Sequence, residues 1–179
     1  MEIINTKDLH NKRKDLKDSV MLNFGLQFGG YIDSDNYNYE DYSDVIDKKK
    51  ELKSNVKLLA WFNEFFETNI STPKDFAYRI NKFISWSKNE EIGICKINEL
   101  EREFDWSDFQ SGRILIDDEG LNETIEDIVS LTRDLDKFVN IDVVGLNNAI
   151  EQNYNCVDFL GKKYIYKKTN WFELKCVKS

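Results

Sequence analysis

Gly112-Arg113-Ile114-Leu115-Ile116-Asp117-Asp118-Glu119, with the amphipathic run from Leu121 to Phe138 behind it, is the stretch on which the reading of this chain turns. A second short run follows from Ile141 to Gln152, and then Val157-Asp158-Phe159-Leu160-Gly161-Lys162-Lys163-Tyr164-Ile165-Tyr166. In physical terms this is a strand, a capped helix, a short helix and a hairpin. Asp117 or Asp118 can cap the long helix, and further acids in its first turn suit the positive end of the helix dipole.

At about 100° per residue, Leu121, Ile125, Ile128, Leu131, Leu135 and Phe138 stay on one broad face. Glu119, Glu123, Glu126, Asp127 and Asp134 fall on the opposite one. Residues 99–142 hold fourteen acids against four bases (Arg102, Arg113, Arg133 and Lys137), an excess of ten negative charges. The bases are displaced to either side, at Lys48, Lys49, Lys50, Lys53 and Lys57 and at Lys162, Lys163, Lys167, Lys168, Lys175 and Lys178. A charged helix face of this kind ordinarily keeps a protein soluble. It also has the spacing needed to imitate phosphates, because helical carboxylates three and four residues apart lie about 5–6 Å from one another at Cβ. A second acidic segment, Asp33, Asp35, Glu40, Asp41, Asp44 and Asp47, contains no base.

Working outward, 179 residues suit one compact domain or two small ones. A hydrophobic fraction of 41% with four Trp, eight Tyr and twelve Phe is enough to build a core, which argues against general disorder. The formal charge of -8, from 33 acids and 25 bases, argues against sequence-independent binding to DNA or RNA, where phosphate neutralisation supplies most of the affinity. It permits binding to a basic protein surface, including one that normally holds nucleic acid. Three cysteines (Cys95, Cys156 and Cys176) with no CxxC and no histidine cluster indicate neither a disulfide framework nor a zinc site. The first residues lack the apolar core of a secretory signal, and no window is long and apolar enough to span a bilayer, so a cytoplasmic setting is expected.

The first hundred residues read as mainly helical. A helix is expected over residues 5–22, with Leu9, Leu16, Val20 and the aliphatic part of Arg13 on one side, stopped by Gly25, Gly29 and Gly30. Asp33 to Asp44 reads as a loop or an irregular helix entrance. One long helix is expected from Tyr42 to Thr68, since Leu52, Val56, Leu59, Phe62 and Phe66 recur at helical spacing while Leu58, Trp61 and Phe65 widen the face. Ser71-Thr72-Pro73 is a hydroxyl cap followed by proline at the first helical position. The helix it opens, with Phe76, Ile80, Phe83 and Ile84 inward, should end near Trp86, and a further helix is expected from Ile92 to Phe104. The expected fold class is α+β: a helical part over residues 1–104, then an α+β unit over 105–179 with a small antiparallel sheet, the boundary being soft and the whole compact.

Catalytic chemistry finds little to work with. The one imidazole, His10, lies in a lysine-rich helix and reads as a surface residue. Gly29-Gly30 follows no strand and no phosphate-cradling glycine motif is present. Asp33, Asp35 and Asp44 hint at a calcium loop, but Asn38 stands where the turn requires glycine. Tyr37, Tyr39 and Tyr42 have acidic neighbours that disfavour base stacking, so they are expected to pack over the helical core or to contribute to a protein interface. The best enzymatic candidate is Asp158 with Glu173 and Lys175, which a three-strand meander would bring together around Mg²⁺ as in metal-dependent nucleases. The competing reading is ordinary strand alternation, with Phe172 and Leu174 inward and Glu173 and Lys175 paired outside.

Residues 99–168 resemble the C-terminal module of small acidic proteins carried by phages and conjugative elements, related to the antirestriction (ArdA-type) proteins. The pieces that carry the resemblance are Gly112 to Asp118 and the helix to Leu135, then Ile141-Asp142 and Ala149, then Asn153-Tyr154-Asn155-Cys156-Val157 and Phe159 to Lys167. The opening Asp8-Leu9-His10-Asn11-Lys12-Arg13 also looks like the start of phage-borne relatives. The chain departs from the pattern at Val143, where the family more often has an aromatic residue. The resemblance implies a mobile-element protein acting in the bacterial cytoplasm. It would block a host defence nuclease, of restriction or CRISPR type, by occupying its nucleic-acid groove. On that expectation the protein is not an enzyme, needs no cofactor or metal, contacts no nucleic acid or membrane directly, and can form a homodimer. Its partner-binding residues would be Glu119, Glu123, Glu126, Asp127 and Asp134. The alternatives are the metal-dependent nuclease and a toxin-neutralising immunity protein.

Overall fold

Helices over most of the first hundred residues and a small antiparallel sheet make this an α+β protein. The computed structural model describes residues 2–28, 37–120 and 152–168. Its elements are β1 (Ile3–Asn5), α1 (Thr6–Phe28), α2 (Tyr39–Ser54), α3 (Val56–Phe65), α4 (Pro73–Glu101), α5 (Trp106–Ser111), β2 (Ile114–Asp117), β3 (Tyr154–Phe159) and β4 (Lys162–Lys167). The chain divides into two compact units, one of Asn11–Ile97 and one of Met1–His10 with Asn98–Ser179. Against the expected division after residue 104, the first ten residues and Asn98–Phe104 go with the later unit. Among the described residues, no helix is long and apolar enough to cross a membrane.

The unit of residues 11–97 is a helical body around an aromatic centre. Phe24 lies 4.6–6.0 Å, centroid to centroid, from the rings of Phe28, Tyr42, Phe62, Phe66 and Phe83, and Val45, Leu52, Phe76 and Ile80 are fully buried with them. That centre explains why α1 does not stop at Gly25. The helix runs on to Phe28 because Phe24 and Phe28 are both buried, and their burial outweighs the roughly 1 kcal/mol helical cost of one glycine.

The long helix expected from Tyr42 to Thr68 is instead two. Asn55 has an extended backbone (φ -124°, ψ 112°), closes α2 and caps α3. Its side-chain oxygen accepts from the Lys57 N–H at 3.0 Å, a local alternative to the helical hydrogen bond that asparagine favours. At the start of α2, Asn38 and Asp41 form a reciprocal capping box at 3.1 and 2.8 Å. The turn after α3 is organised by Asn63, whose oxygen accepts from the Ile70 N–H and the Thr68 hydroxyl while its amide donates to the Ile70 carbonyl.

Thr72 caps α4 through the Asp75 N–H, with Pro73 first in the helix as expected. No break occurs at Trp86, and the two helices anticipated here are one of 29 residues. Phe76, Ile80, Phe83, Ser87, Ile94, Ile97 and Leu100 are all buried, so the burial stripe passes through the polar stretch that looked like an ending. Gly93 belongs to that packing, since a Cβ there would come within 2.9 Å of Leu16 Cδ1.

The other unit is built on a four-stranded antiparallel sheet in the order β1-β2-β4-β3. The edge strand β1 was not anticipated. Ile3, Ile4 and Asn5 pair with Ile116, Leu115 and Ile114, and Thr6, fully buried, exchanges hydrogen bonds with the backbone of Arg113. Gly112 has φ +102°, and a Cβ on it would meet Asn5 Oδ1 at 2.6 Å, so glycine is required at this entry to β2. The hairpin from β3 to β4 is present as read. Phe159 pairs with Lys162 across a two-residue loop, Leu160-Gly161, with positive φ at both positions (53° and 77°), the backbone that suits the right-handed strand twist. Leu115, Val157, Phe159, Tyr164 and Ile165 are buried on the sheet, and Phe109 of α5 is fully buried.

Candidate partner-binding surface

The start of the expected acidic helix lies within the described residues. Asp117 ends β2, where it is buried opposite Tyr164, and its N–H donates to the Glu2 carbonyl at 2.9 Å. Its side chain then turns to accept from the Glu119 N–H at 3.0 Å, and the backbone is helical from Asp118. The carboxylate anticipated as a cap is therefore Asp117, and Glu119 sits exposed in the first turn. Glu123, Glu126, Asp127 and Asp134 lie outside the described residues.

More carboxylates surround the end of α4 and the hairpin, and the sequence reading did not single them out as a surface. A hollow of about 300 Å³ is lined by Glu99, Leu100, Glu103, Cys156, Val157 and Asp158. A second, of about 290 Å³, shares Glu103 and adds Arg102, Phe104, Asp105, Asp108, Arg113, Asn155 and Tyr166. In it Phe104 and Tyr166 are in ring contact at 4.7 Å, the Tyr166 hydroxyl accepts from the Asn155 amide at 3.3 Å, and Arg113 is held by Asp108. Glu99, Glu103, Asp105, Glu119 and Asp158 are exposed. Among the described residues, Glu103, Asp105, Glu119 and Asp158 make no ion pair within 4 Å. The signal available beforehand was the acid count over residues 99–142. What it lacked was the approach of β3 to the end of α4, which puts Asp158 in the same hollow as Glu99 and Glu103.

The second acidic segment fares differently. Asp33 and Asp35 lie outside the described residues. Glu40 is held by Lys17 of α1 at 2.9 Å, and the Lys17 hydrogen bond keeps its carboxyl below the usual range. Asp41 is used in the capping box, and Asp44 lies 3.8 Å from Lys48 one turn on. A segment with no base of its own is thus partly neutralised by bases from outside it.

No protein-family model, curated protein or solved structure matches the chain.

The remaining candidates also have places. Asp158 faces Lys163 across the β3–β4 register, while Glu173 and Lys175 lie outside the described residues, as does Cys176. Among the described residues no three His, Cys, Asp or Glu side chains are arranged to hold a metal ion. His10 is not a plain surface residue. It is half-buried, edge-on to Trp106 at 5.6 Å and to Phe109 at 6.4 Å, because the start of α1 packs its ring against α5. Tyr42 belongs to the aromatic core, where burial pushes its hydroxyl up to about 12, and Tyr37 and Tyr39 pack half-buried against that core. Cys95 and Cys156 are exposed free thiols.

Charge sorts by unit. Residues 11–97 contain fourteen acids and fourteen bases, whereas residues 1–10 and 98–179 contain nineteen acids and eleven bases. The whole formal charge of -8 therefore belongs to the sheet-bearing unit.

Proposed function

We propose that the chain is an anti-defence protein of a phage or mobile element, a non-enzymatic inhibitor that occupies the nucleic-acid channel of a host restriction or CRISPR nuclease. The observation that carries this reading is the sorting of charge: one unit is neutral and the other holds the entire negative excess, with exposed carboxylates at Glu103, Asp105, Glu119 and Asp158. A unit with so negative a net charge raises the association rate with a cationic cleft and repels nucleic acid itself. In this mechanism Glu119, Glu123, Glu126, Asp127 and Asp134 meet lysines and arginines that otherwise hold phosphates. Affinity then falls as salt rises, because exposed charge pairs are screened beyond about 10 Å at 0.1 M ionic strength.

The test begins with capture of the partner from host lysate by the tagged, folded protein. Inhibition of the captured nuclease is then compared for the native chain and for Glu123→Lys with Glu126→Lys. Loss of inhibition by a folded double variant supports mimicry, and full retention removes it. Incubation with DNA and RNA in Mg²⁺ or Mn²⁺ addresses the nuclease alternative: cleavage that disappears in Asp158→Ala would replace the inhibitor reading. A captured toxin in place of a nuclease would point to an immunity protein.

A further inference from the structure

Within the helical unit, the exposed face of α4 carries one sign of charge. Advancing about 100° per residue from Lys74, the lysines at 82, 88 and 96 stay within roughly 80° of it, with Tyr78 and Ile92 among them. All six are exposed, and Trp86, also exposed, borders them, while Phe76, Phe83 and Ile94 are buried on the opposite side. The three acids of this stretch are engaged elsewhere. Asp75 is held by Arg79 at 3.1 Å, Glu91 accepts from the Tyr39 hydroxyl at 2.6 Å, and half-buried Glu90 is reached by the Ser19 hydroxyl at 3.5 Å. α2 extends the basic face: Lys53 Nζ donates to Asn81 Oδ1 on α4 at 2.6 Å, and Lys49 and Lys50 lie one turn before Lys53.

A helix face that serves only solubility or its own stability sets opposite charges four residues apart. Here the residues four positions after Lys74, Lys82 and Lys88 are Tyr78, Trp86 and Ile92. Among the described residues Lys74 and Lys88 make no ion pair, and Lys82 lies 4.7 Å over the Tyr78 ring. Lys74 also stands in the first turn, where the helix dipole disfavours a cation. The needs of the helix do not account for this arrangement.

We propose that this face binds single-stranded nucleic acid, with the lysines on phosphates and the Tyr78 and Trp86 rings offered to unpaired bases. Lysines interleaved with exposed rings fit that ligand better than a protein partner, because lysine is depleted at protein interfaces. Successive lysines stand roughly 12, 9 and 12 Å apart along the helix axis, so one strand of several nucleotides reaches all four. The negative charge of the whole chain does not oppose this locally. Its excess lies in residues 1–10 and 98–179, and salt screens exposed charges beyond about 8 Å at physiological ionic strength. The proposal stands apart from the inhibitor reading, which uses the other unit.

The experiment titrates the full-length protein against fluorescently labelled DNA and RNA single strands at rising salt, read by anisotropy. Binding should appear with Kd of about 1–100 µM at moderate salt. Lys82→Gln with Lys88→Gln should weaken it about tenfold and lower the log–log salt slope by about 1.4, the contribution of two phosphate contacts to a single strand. Lys12→Gln with Lys14→Gln, at exposed positions of α1, changes the net charge equally and should leave both quantities near native. Trp86→Leu should weaken binding severalfold with the slope unchanged, the mark of a stacked base. Native-like melting of each variant confirms the fold, since every substituted side chain is exposed. Absence of binding up to about 100 µM at low salt overturns the proposal, as does an equal loss in the Lys12 and Lys14 variant. Duplex bound as tightly as single strand overturns the assignment to unpaired bases. Salt-sensitive self-association in sedimentation, lost in the Lys82 and Lys88 variant and unaccompanied by strand binding, would give the face to a second copy of the chain and overturn the proposal.

Discussion

Two acidic stretches of this chain look alike in sequence and end differently. In α2, Glu40 is taken by Lys17, Asp41 by its own helix cap and Asp44 by Lys48. Around the hairpin and the end of α4, Glu103, Asp105, Glu119 and Asp158 point outward with no ion pair among the described residues. The same division appears at larger scale, with charge balanced over residues 11–97 and the entire excess in the remainder. A run of acids becomes an acidic surface only if no other element delivers a base to it. The helical unit is held by its aromatic centre and by caps, and the sheet unit presents the charge.

The strongest way to break this comparison is to remove the aromatic centre. Phe24→Ala deletes a side chain in contact with five other rings and should cost about 3–5 kcal/mol, the range for a large aromatic truncated in a close-packed core. Urea denaturation followed by aromatic circular dichroism measures it. A loss below about 1 kcal/mol would mean that the rings are not the centre of the helical unit. A smaller change probes the joint between α2 and α3. Asn55→Ala removes the cap on the Lys57 N–H and should cost about 1 kcal/mol, read from the shift in denaturation midpoint.

That joint also shows where sequence reading stops. The apolar period from Leu52 to Phe66 is continuous across Asn55, and burial follows it at Leu52, Leu59, Phe62 and Phe66. Period reports which face is buried, but it does not report a backbone that bends between two helices sharing that face. The error at Trp86 had the opposite form: Ser87, fully buried, interrupts the apolar pattern without interrupting the helix. The hairpin and the Thr72-Pro73 start were legible because their signals are local, a turn dipeptide between alternating residues and a hydroxyl before proline. β1 was not legible, because three residues carry no period and their strand character comes from pairing with Ile114 to Ile116, more than a hundred positions away. The candidate surface was half legible for the same reason: Glu119 follows from the helix pattern, whereas the placing of Asp158 with Glu99 and Glu103 is a tertiary fact.

The hairpin offers a gain in stability in place of a loss. Leu160 occupies a left-handed position (φ 53°) and is exposed, so its side chain contributes little packing while its backbone is unfavourable for a branched residue. Leu160→Asn gives the Asn-Gly pair that this two-residue loop favours, and should stabilise the protein by about 0.5–1 kcal/mol in the same denaturation assay. No gain would mean that Leu160 is held by a contact outside the hairpin.

The smallest expected effect on stability sharpens the comparison most. Glu103→Gln with Glu119→Gln removes two exposed charges from the sheet unit without reversing them. Neither carboxylate makes an ion pair among the described residues, so the melting temperature should move by no more than the equivalent of about 0.5 kcal/mol. Partner affinity should behave otherwise, falling severalfold at low salt and much less at high salt, because screening has already weakened those contacts in the native protein. The matched control neutralises the paired acids of the helical unit, Glu40→Gln with Asp44→Asn. Those carboxylates already have lysine partners, so their removal should leave the affinity and its salt dependence largely as they were. Equal losses of affinity in both double variants would make net charge the operative property and remove any special role for the sheet unit. A loss confined to Glu103 and Glu119 would place binding on the carboxylates that no base reaches.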